Sequence, residues 1–148
     1  MTSLLILNGP NLNLLGLRQP EIYGHTTLAE IDDMCVAAAK DLGASAICFQ
    51  SNQEGALVEA IHAARGQHDG IILNAGAYTH TSIALMDAIT SSGVPTIELH
   101  LSNIHAREDF RKKSYIALVA VGQIIGFGAL SYGLAIRAML DHLAGLAR

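Results

Sequence analysis

Three stretches hold most of the residues in this chain whose types and spacing suit catalysis. Residues 8–24, N-G-P-N-L-N-L-L-G-L-R-Q-P-E-I-Y-G, carry Asn8, Asn11, Asn13, Arg18 and Tyr23 among glycines and prolines. A second stretch holds Asn74, Tyr78 and His80, and a third holds Glu98, His100, Ser102 and Asn103, with Arg111 beyond it. A tyrosine, with an ordinary pKa of about 10, is a poor base unless its phenolate is stabilised. Arg18, five residues upstream of Tyr23, carries a permanent charge that favours the ionised phenol. Both lie in one loop that would close together like a lid. Histidine titrates near neutrality, so His100 suits delivery of a proton to a departing oxygen. Asn11 or Asn74 would hold a water or donate to developing negative charge. Together these parts suit removal of a proton next to a carbonyl, followed by loss of water.

Each candidate also has a plainer reading. A loop tyrosine more often packs than reacts, and Glu98 at a strand end would serve to cap a neighbouring loop. His25, His62, His68 and His142 fall on expected surfaces or turns and read as solvated. The case for a site rests on convergence, and convergence depends on the elements.

Short, nearly continuous apolar runs at 4–7, 46–50, 70–73, 96–99 and 117–121 read as parallel strands covered on both faces. Between the first two, Leu28, Ile31, Cys35, Ala38 and Leu42 recur at helical spacing; Thr27 and Glu30 suit a capping box at the start and Gly43 the end. Further helices are predicted over 54–65, 81–91, 107–113 and 130–146. Alternation of this kind without a linker makes one doubly wound α/β domain over 1–148. With five strands, the flavodoxin-like order 2-1-3-4-5 follows. Ligands in such sheets bind beyond the carboxyl ends of the strands, at the switch point between strands 1 and 3. The loops after strands 1, 3 and 4 should therefore open on one edge and bring the three stretches together.

Several chemistries are missing. The chain has no G-x-G-x-x-G, no Walker loop and no G-x-S-x-G elbow. Asn8 stands where a phosphoacceptor domain would want acids, and the first loop lacks a Ser/Thr-rich phosphate cradle for a flavin. Lys40, Lys112 and Lys113 all fall on expected helix surfaces, which disfavours a Schiff-base lysine. Glu98, His100 and His105 mimic metal ligands only loosely, so no metal is expected. Cys35 and Cys48 lie in apolar patterns without a C-x-x-C and read as buried free thiols in a reducing cytosol.

A net charge of −4 and a pI near 5.9 argue against nucleic-acid binding. Hydrophobic residues make up 51% and charged ones 15%, oily enough to expect apolar contact with other subunits. Residues 114–136 contain no charge and are long enough on paper to span a bilayer. Gly122, Gln123, Gly126, Gly128 and Ser131 interrupt them, and a strand, a glycine turn and a helix explain them better. The start, Met1-Thr2-Ser3, lacks the basic and apolar character of a signal peptide, so a cytoplasmic location is expected. A binding module for a small polyol or anion, and a dehydration of some other cyclic β-hydroxy ketone, stay open at this level.

The 8–24 loop, the run N-A-G-A-Y-T-H-T-S-I-A-L-M-D-A-I at 74–89 and the run I-E-L-H-L-S-N-I-H-A-R-E-D-F-R at 97–111 strongly resemble the type II 3-dehydroquinate dehydratases. Q-S-N-Q-E-G at 50–55 and S-Y-I-A-L-V-A-V-G-Q-I-I-G-F-G at 114–128 fit the same family, so the resemblance covers essentially the whole chain in order and spacing. It implies conversion of 3-dehydroquinate to 3-dehydroshikimate with loss of water and no cofactor, a step shared by aromatic biosynthesis (the shikimate pathway) and quinate breakdown. By matching position, Tyr23 would be the base, Arg18 the phenolate's stabiliser and His100 the acid, with Glu98 orienting it. Asn11 would hold a water against the enolate-like intermediate. Asn74, His80, Leu101, Ser102 and Arg111 would grip the substrate. The resemblance also implies dodecamers built from trimers, in which Asp87 reaches a neighbouring subunit's site. Departures from the usual pattern are Ala75 for a proline, Met86 for a basic residue, Lys112-Lys113 for a histidine-rich pair and Ser131 for a glycine. None falls on the expected acid, base or lid arginine.

Overall fold

The computed structural model describes residues 1–17, 19, 21 and 24–147; Arg18 and Tyr23 lie outside the described residues. A five-stranded parallel sheet in the order β2-β1-β3-β4-β5 forms the centre. Its strands are β1 (Thr2–Asn8), β2 (Ala44–Gln50), β3 (Gly70–Asn74), β4 (Thr96–His100) and β5 (Gly122–Ile125). The helices are α1 (Leu28–Asp41), α2 (Glu54–Ala64), α3 (Ile83–Ser92) and α4 (Leu130–Leu146). This is the flavodoxin-like order expected from the strand and helix alternation.

Two apolar layers sandwich the sheet, and strand alternation decides which side chain enters each. Leu4, Ile6, Ile72, Ile97 and Leu99 pack with Ile31 and Cys35 of α1 and Tyr132, Ile136 and Met139 of α4. Leu5, Leu7, Ile71 and Leu73 face the other way, against Leu57 and Ile61 of α2 and Leu85 and Ile89 of α3. The three central strands are buried almost throughout, as a parallel sheet requires. The outer strands depart from that expectation: Ile47 and Phe49 of β2 are exposed, and β5 is at most half-buried.

Local signals mark the start of α1 and both ends of α3. The Thr27 hydroxyl accepts from the Glu30 N–H (3.2 Å) to cap α1. Ser82 caps α3 through the Leu85 N–H (2.9 Å), so that helix starts after the predicted residue 81. Gly93 closes it at φ 68°, a left-handed position that glycine takes without strain.

Three expectations need correction. The fifth strand was expected at 117–121, but the chain there makes a 3₁₀ turn (Ile116–Leu118), and β5 follows at Gly122–Ile125. Only Ile116 is buried in that turn, while Leu118 and Val121 are exposed; pairing with β4 begins after the Val121 N–H bonds Thr96 O (2.7 Å). Apolar β-rich character was therefore a poorer guide to the strand than ladder pairing. The helix predicted over 107–113 is only a 3₁₀ turn, Asp109–Arg111, and Lys112 and Lys113 follow that turn rather than lying on a helix. Cys35 is buried, but Cys48 on the edge strand is only half-buried. The uncharged 114–136 stretch divides among the 3₁₀ turn, β5 and the start of α4. Among the described residues no helix is long and apolar enough to cross a membrane.

Candidate active site

The strand ends form a polar row. Gln50, Asn8 and Asn74 are register partners across β2, β1 and β3, and Glu98 pairs with Leu73 and Gln123 in the next ladders. Above this edge opens a cleft of about 190 Å³. The loop after β1 lines it with Pro10, Asn11 and Leu12; that after β3 with Asn74, Gly76, Ala77 and His80; that after β4 with His100, Leu101, Ser102, Ile104, Arg107 and Arg111. These are the three loops that the switch-point argument brings to one edge.

Glu98 and His100 are two positions apart on β4, so both project to the same side of the sheet. His100 Nε2 lies 2.6 Å from Glu98 Oε2, and both residues are buried. The other carboxylate oxygen, Oε1, accepts from Ser114 Oγ (2.8 Å) and Gln123 Nε2 (3.1 Å). Burial pushes the Glu98 carboxyl up, but the bonds from His100, Ser114 and Gln123 outweigh it and hold the group below the ordinary carboxylate value. A carboxylate only accepts, so Nε2 of His100 carries a hydrogen toward Glu98 and Nδ1 is left for other work.

His80 stands beside this pair, its ring stacked on that of His100 with centroids 6.4 Å apart. Its Nδ1 lies 2.7 Å from the Lys113 carbonyl oxygen, which only accepts, so the hydrogen of neutral His80 sits on Nδ1. Burial lowers its pKa below the usual histidine value, and the neighbouring His100 and Arg111 push the same way. The Lys113 carbonyl opposes them but does not win.

Asn11 occupies a left-handed backbone position (φ 69°), which asparagine tolerates better than most residues. Its N–H donates to Asn52 Oδ1 (2.9 Å), and Gln50 Nε2 donates to Gly9 O (3.1 Å) and Asn52 Oδ1 (3.1 Å). The loop after β2 thus braces the loop after β1. Arg111 forms an ion pair with Glu108 at the cleft rim. Asn74 is buried, and its side chain bonds Gly76 N–H and the Tyr132 hydroxyl.

The expected residues Asn11, Asn74, His80, His100, Leu101, Ser102 and Arg111 all line the cleft, and Glu98 backs it. Asp87 does not line it; that residue is exposed on α3. Among the residues that sequence reasoning missed are Arg107 in the wall, Ser114 and Gln123 behind Glu98, and Tyr132 beneath Asn74. Arg107 stands close in sequence to Arg111, Lys112 and Lys113, a concentration of basic residues that could have pointed to it, whereas Gln123 depended on a strand placed at the wrong residues. Of the departures, Ala75 is buried in the turn after β3, and buried Ser131 accepts from the Phe127 N–H (3.2 Å). Among the described residues no group of three or more His, Cys, Asp or Glu side chains is arranged to hold a metal ion.

Comparison with known proteins gives a consistent answer. The model of the family described as dehydroquinase class II matches residues 2–140. The 3-dehydroquinate dehydratase of Ruegeria pomeroyi is 64% identical over 144 residues, covering 97% of either chain. That of a Nostoc species is 59% identical over 143 residues, again covering 97% of each. The crystal structure of the type II dehydroquinase from Butyrivibrio crossotus superposes with a TM-score of 0.92 at 40% identity, over 94% of this chain and 97% of that one. The polar cleft at the switch point thus sits in a fold and a sequence of known kinship, and the chain belongs to the class II dehydroquinases.

Proposed function

We propose that this chain is a hydro-lyase that converts 3-dehydroquinate to 3-dehydroshikimate without a cofactor. The observation that carries the reading is the buried Glu98–His100 pair in the wall of a polar cleft at the switch point. Its support from kinship is relatives at 64% and 59% identity that bear the name 3-dehydroquinate dehydratase.

In this reading Tyr23 takes the proton from the carbon next to the ketone, and Arg18 stabilises the phenolate that does so. Both roles rest on the match of the 8–24 loop to the family motif. The electron pair left on carbon moves into the ketone to give an enolate-like intermediate, which a water held by Asn11 stabilises. Collapse of the enolate expels the β-hydroxyl, which leaves as water once His100 protonates it from Nδ1. Glu98 holds the imidazole through Nε2, which leaves Nδ1 as the nitrogen that delivers the proton. Asn74, His80, Leu101, Ser102 and Arg111 bind the substrate's hydroxyls and carboxylate; the guanidinium suits the carboxylate. His80, neutral with its hydrogen on Nδ1, offers Nε2 as an acceptor for a hydroxyl.

Residues 1–148 act as one catalytic domain in the cytoplasm, in a dodecamer of trimers where Asp87 serves a neighbouring site. The exposed Ile47, Phe49 and Leu118 are apolar surface of the kind subunit contacts cover. The reaction serves the shikimate pathway or quinate catabolism.

The test is absorbance of the conjugated enone product after 3-dehydroquinate is added to the pure protein. Steady growth of that band is expected; none from folded protein would refute the lyase reading and leave the polyol-binding alternative. Borohydride added with substrate should leave the enzyme active, because no Schiff base forms. A substrate-dependent adduct on lysine would overturn the mechanism.

A further inference from the structure

Beneath the cleft, three hydrogen bonds run in series. The Gly76 N–H donates to Asn74 Oδ1 (3.2 Å), Asn74 Nδ2 donates to Tyr132 Oη (3.2 Å), and the Tyr132 hydroxyl donates to Asn8 Oδ1 (2.6 Å). Chemistry sets their direction. A backbone N–H only donates, so Asn74 must turn its Oδ1 to Gly76, and Nδ2 then faces Tyr132. The phenol oxygen accepts that bond and spends its single hydrogen on Asn8.

The fold explains why these groups meet. Asn8 and Asn74 are register partners at the ends of β1 and β3, and both project to the side covered by α4. Tyr132 lies in the first turn of α4, fully buried, with its hydroxyl against both amides. Burial keeps that phenol neutral at any pH the protein meets, so the series does not reverse by ionisation. Of the three side chains only Asn74 lines the cleft.

We propose that Tyr132 is a positioning residue for substrate binding, fixing which end of the Asn74 amide faces which way and thereby the bond Asn74 offers. Among the described residues the protein uses one Nδ2 hydrogen of Asn74, on Tyr132. The second Nδ2 hydrogen is the donor left for a ligand, and its partner is an acceptor oxygen, a hydroxyl or carboxylate, on the substrate. Without the Tyr132 hydroxyl, the amide is held at its Oδ1 end alone and loses its fixed direction. The identity of that substrate rests on the dehydratase reading; the orientation of Asn74 does not.

The experiment pairs kinetics on 3-dehydroquinate with nitrogen-15 spectra of the Asn74 side-chain amide, assigned by its loss in Asn74→Ala. Tyr132→Phe should raise KM about fivefold, the worth of one hydrogen bond, with kcat changed less than about twofold. In an Asn74→Ala background the same substitution should leave KM unchanged, because there is no amide to orient. An equal KM factor in both backgrounds, or an unchanged KM in Tyr132→Phe alone, overturns the proposal. A purely structural role for Tyr132 predicts that equal factor. Asn8→Ala, at the far end of the series, should raise KM in the same direction, and it serves if Tyr132→Phe fails to fold. The amide resonances of Asn74 should shift in Tyr132→Phe whether or not the wild type turns over; unmoved resonances also overturn the proposal. Absence of turnover by the wild type would instead defeat the dehydratase reading.

Discussion

Glu98 Oε2 lies 2.6 Å from His100 Nε2, on one face of β4, while Glu98 Oε1 takes both Ser114 and Gln123. One oxygen is therefore anchored by neutral donors and the other is given wholly to the histidine. Replacing Glu98 with Gln removes the carboxylate that holds the His100 ring through Nε2 and presents an amide in its place. We expect kcat to fall about a hundredfold, within the range for general-acid catalysis, with KM changed little. Steady-state kinetics checks it; an unchanged kcat would place Glu98 outside the acid's function.

Ser114 and Gln123 matter through the same carboxylate. Ser114→Ala and Gln123→Ala should each cost about 1 kcal/mol of stability near neutrality, the ordinary worth of a side-chain hydrogen bond. The folded Glu98 pKa is below its ordinary value of 4.5, so its contribution is full above that value. It is lost as pH falls through the folded pKa. Urea unfolding at stepped pH should show the gap between wild type and Gln123→Ala narrowing only below about 4.5, and a gap constant with pH would contradict the anchoring.

His80 should titrate below the usual histidine value of 6.5, because burial disfavours its charged form. At pH 7 its ring should be neutral with the hydrogen on Nδ1, donated to Lys113 O. Nitrogen-15 chemical shifts of the imidazole, followed through a pH titration, read both the tautomer and the midpoint. A midpoint above 6.5 would remove His80 as a neutral acceptor for a substrate hydroxyl.

Close backbone approach at the switch point depends on Gly9. A Cβ there would stand 2.6 Å from Ala75 O and 2.7 Å from Ala75 C, backbone atoms that cannot step aside alone. Gly9→Ala should cost about 1–3 kcal/mol by overpacking and reduce turnover, since Gly9 also bonds Asn74 O. Gly70→Ala meets Met139 at 2.8 Å, but that is a flexible side chain, so its cost should be smaller. Chemical unfolding of the two variants tests the order.

The parts of this molecule legible in sequence are those governed by local rules. The helical spacing from Leu28, with its Thr27 cap, and the 130–146 helix match the observed elements. Four apolar runs fell inside true strands, and strand order placed the Asn11, Asn74 and His100 loops on one edge. What stayed hidden depends on partners distant in sequence. Gln123 reaches Glu98 only because the β4–β5 register pairs them, and an apolar run just upstream drew the strand five residues early. Tyr132 is not singled out within the 130–146 helix, since nothing in its neighbours announces a bond to Asn8, 124 positions away. Arg18 and Tyr23, the lid arginine and base of the sequence reading, lie outside the described residues.

The most direct test of the central claim is kcat for His100→Ala on 3-dehydroquinate beside the wild type, with folding verified by circular dichroism. If His100 delivers the proton to the departing hydroxyl, kcat should fall by about a hundredfold or more, the scale of a lost general acid. A folded His100→Ala enzyme with near-wild-type kcat would contradict the account.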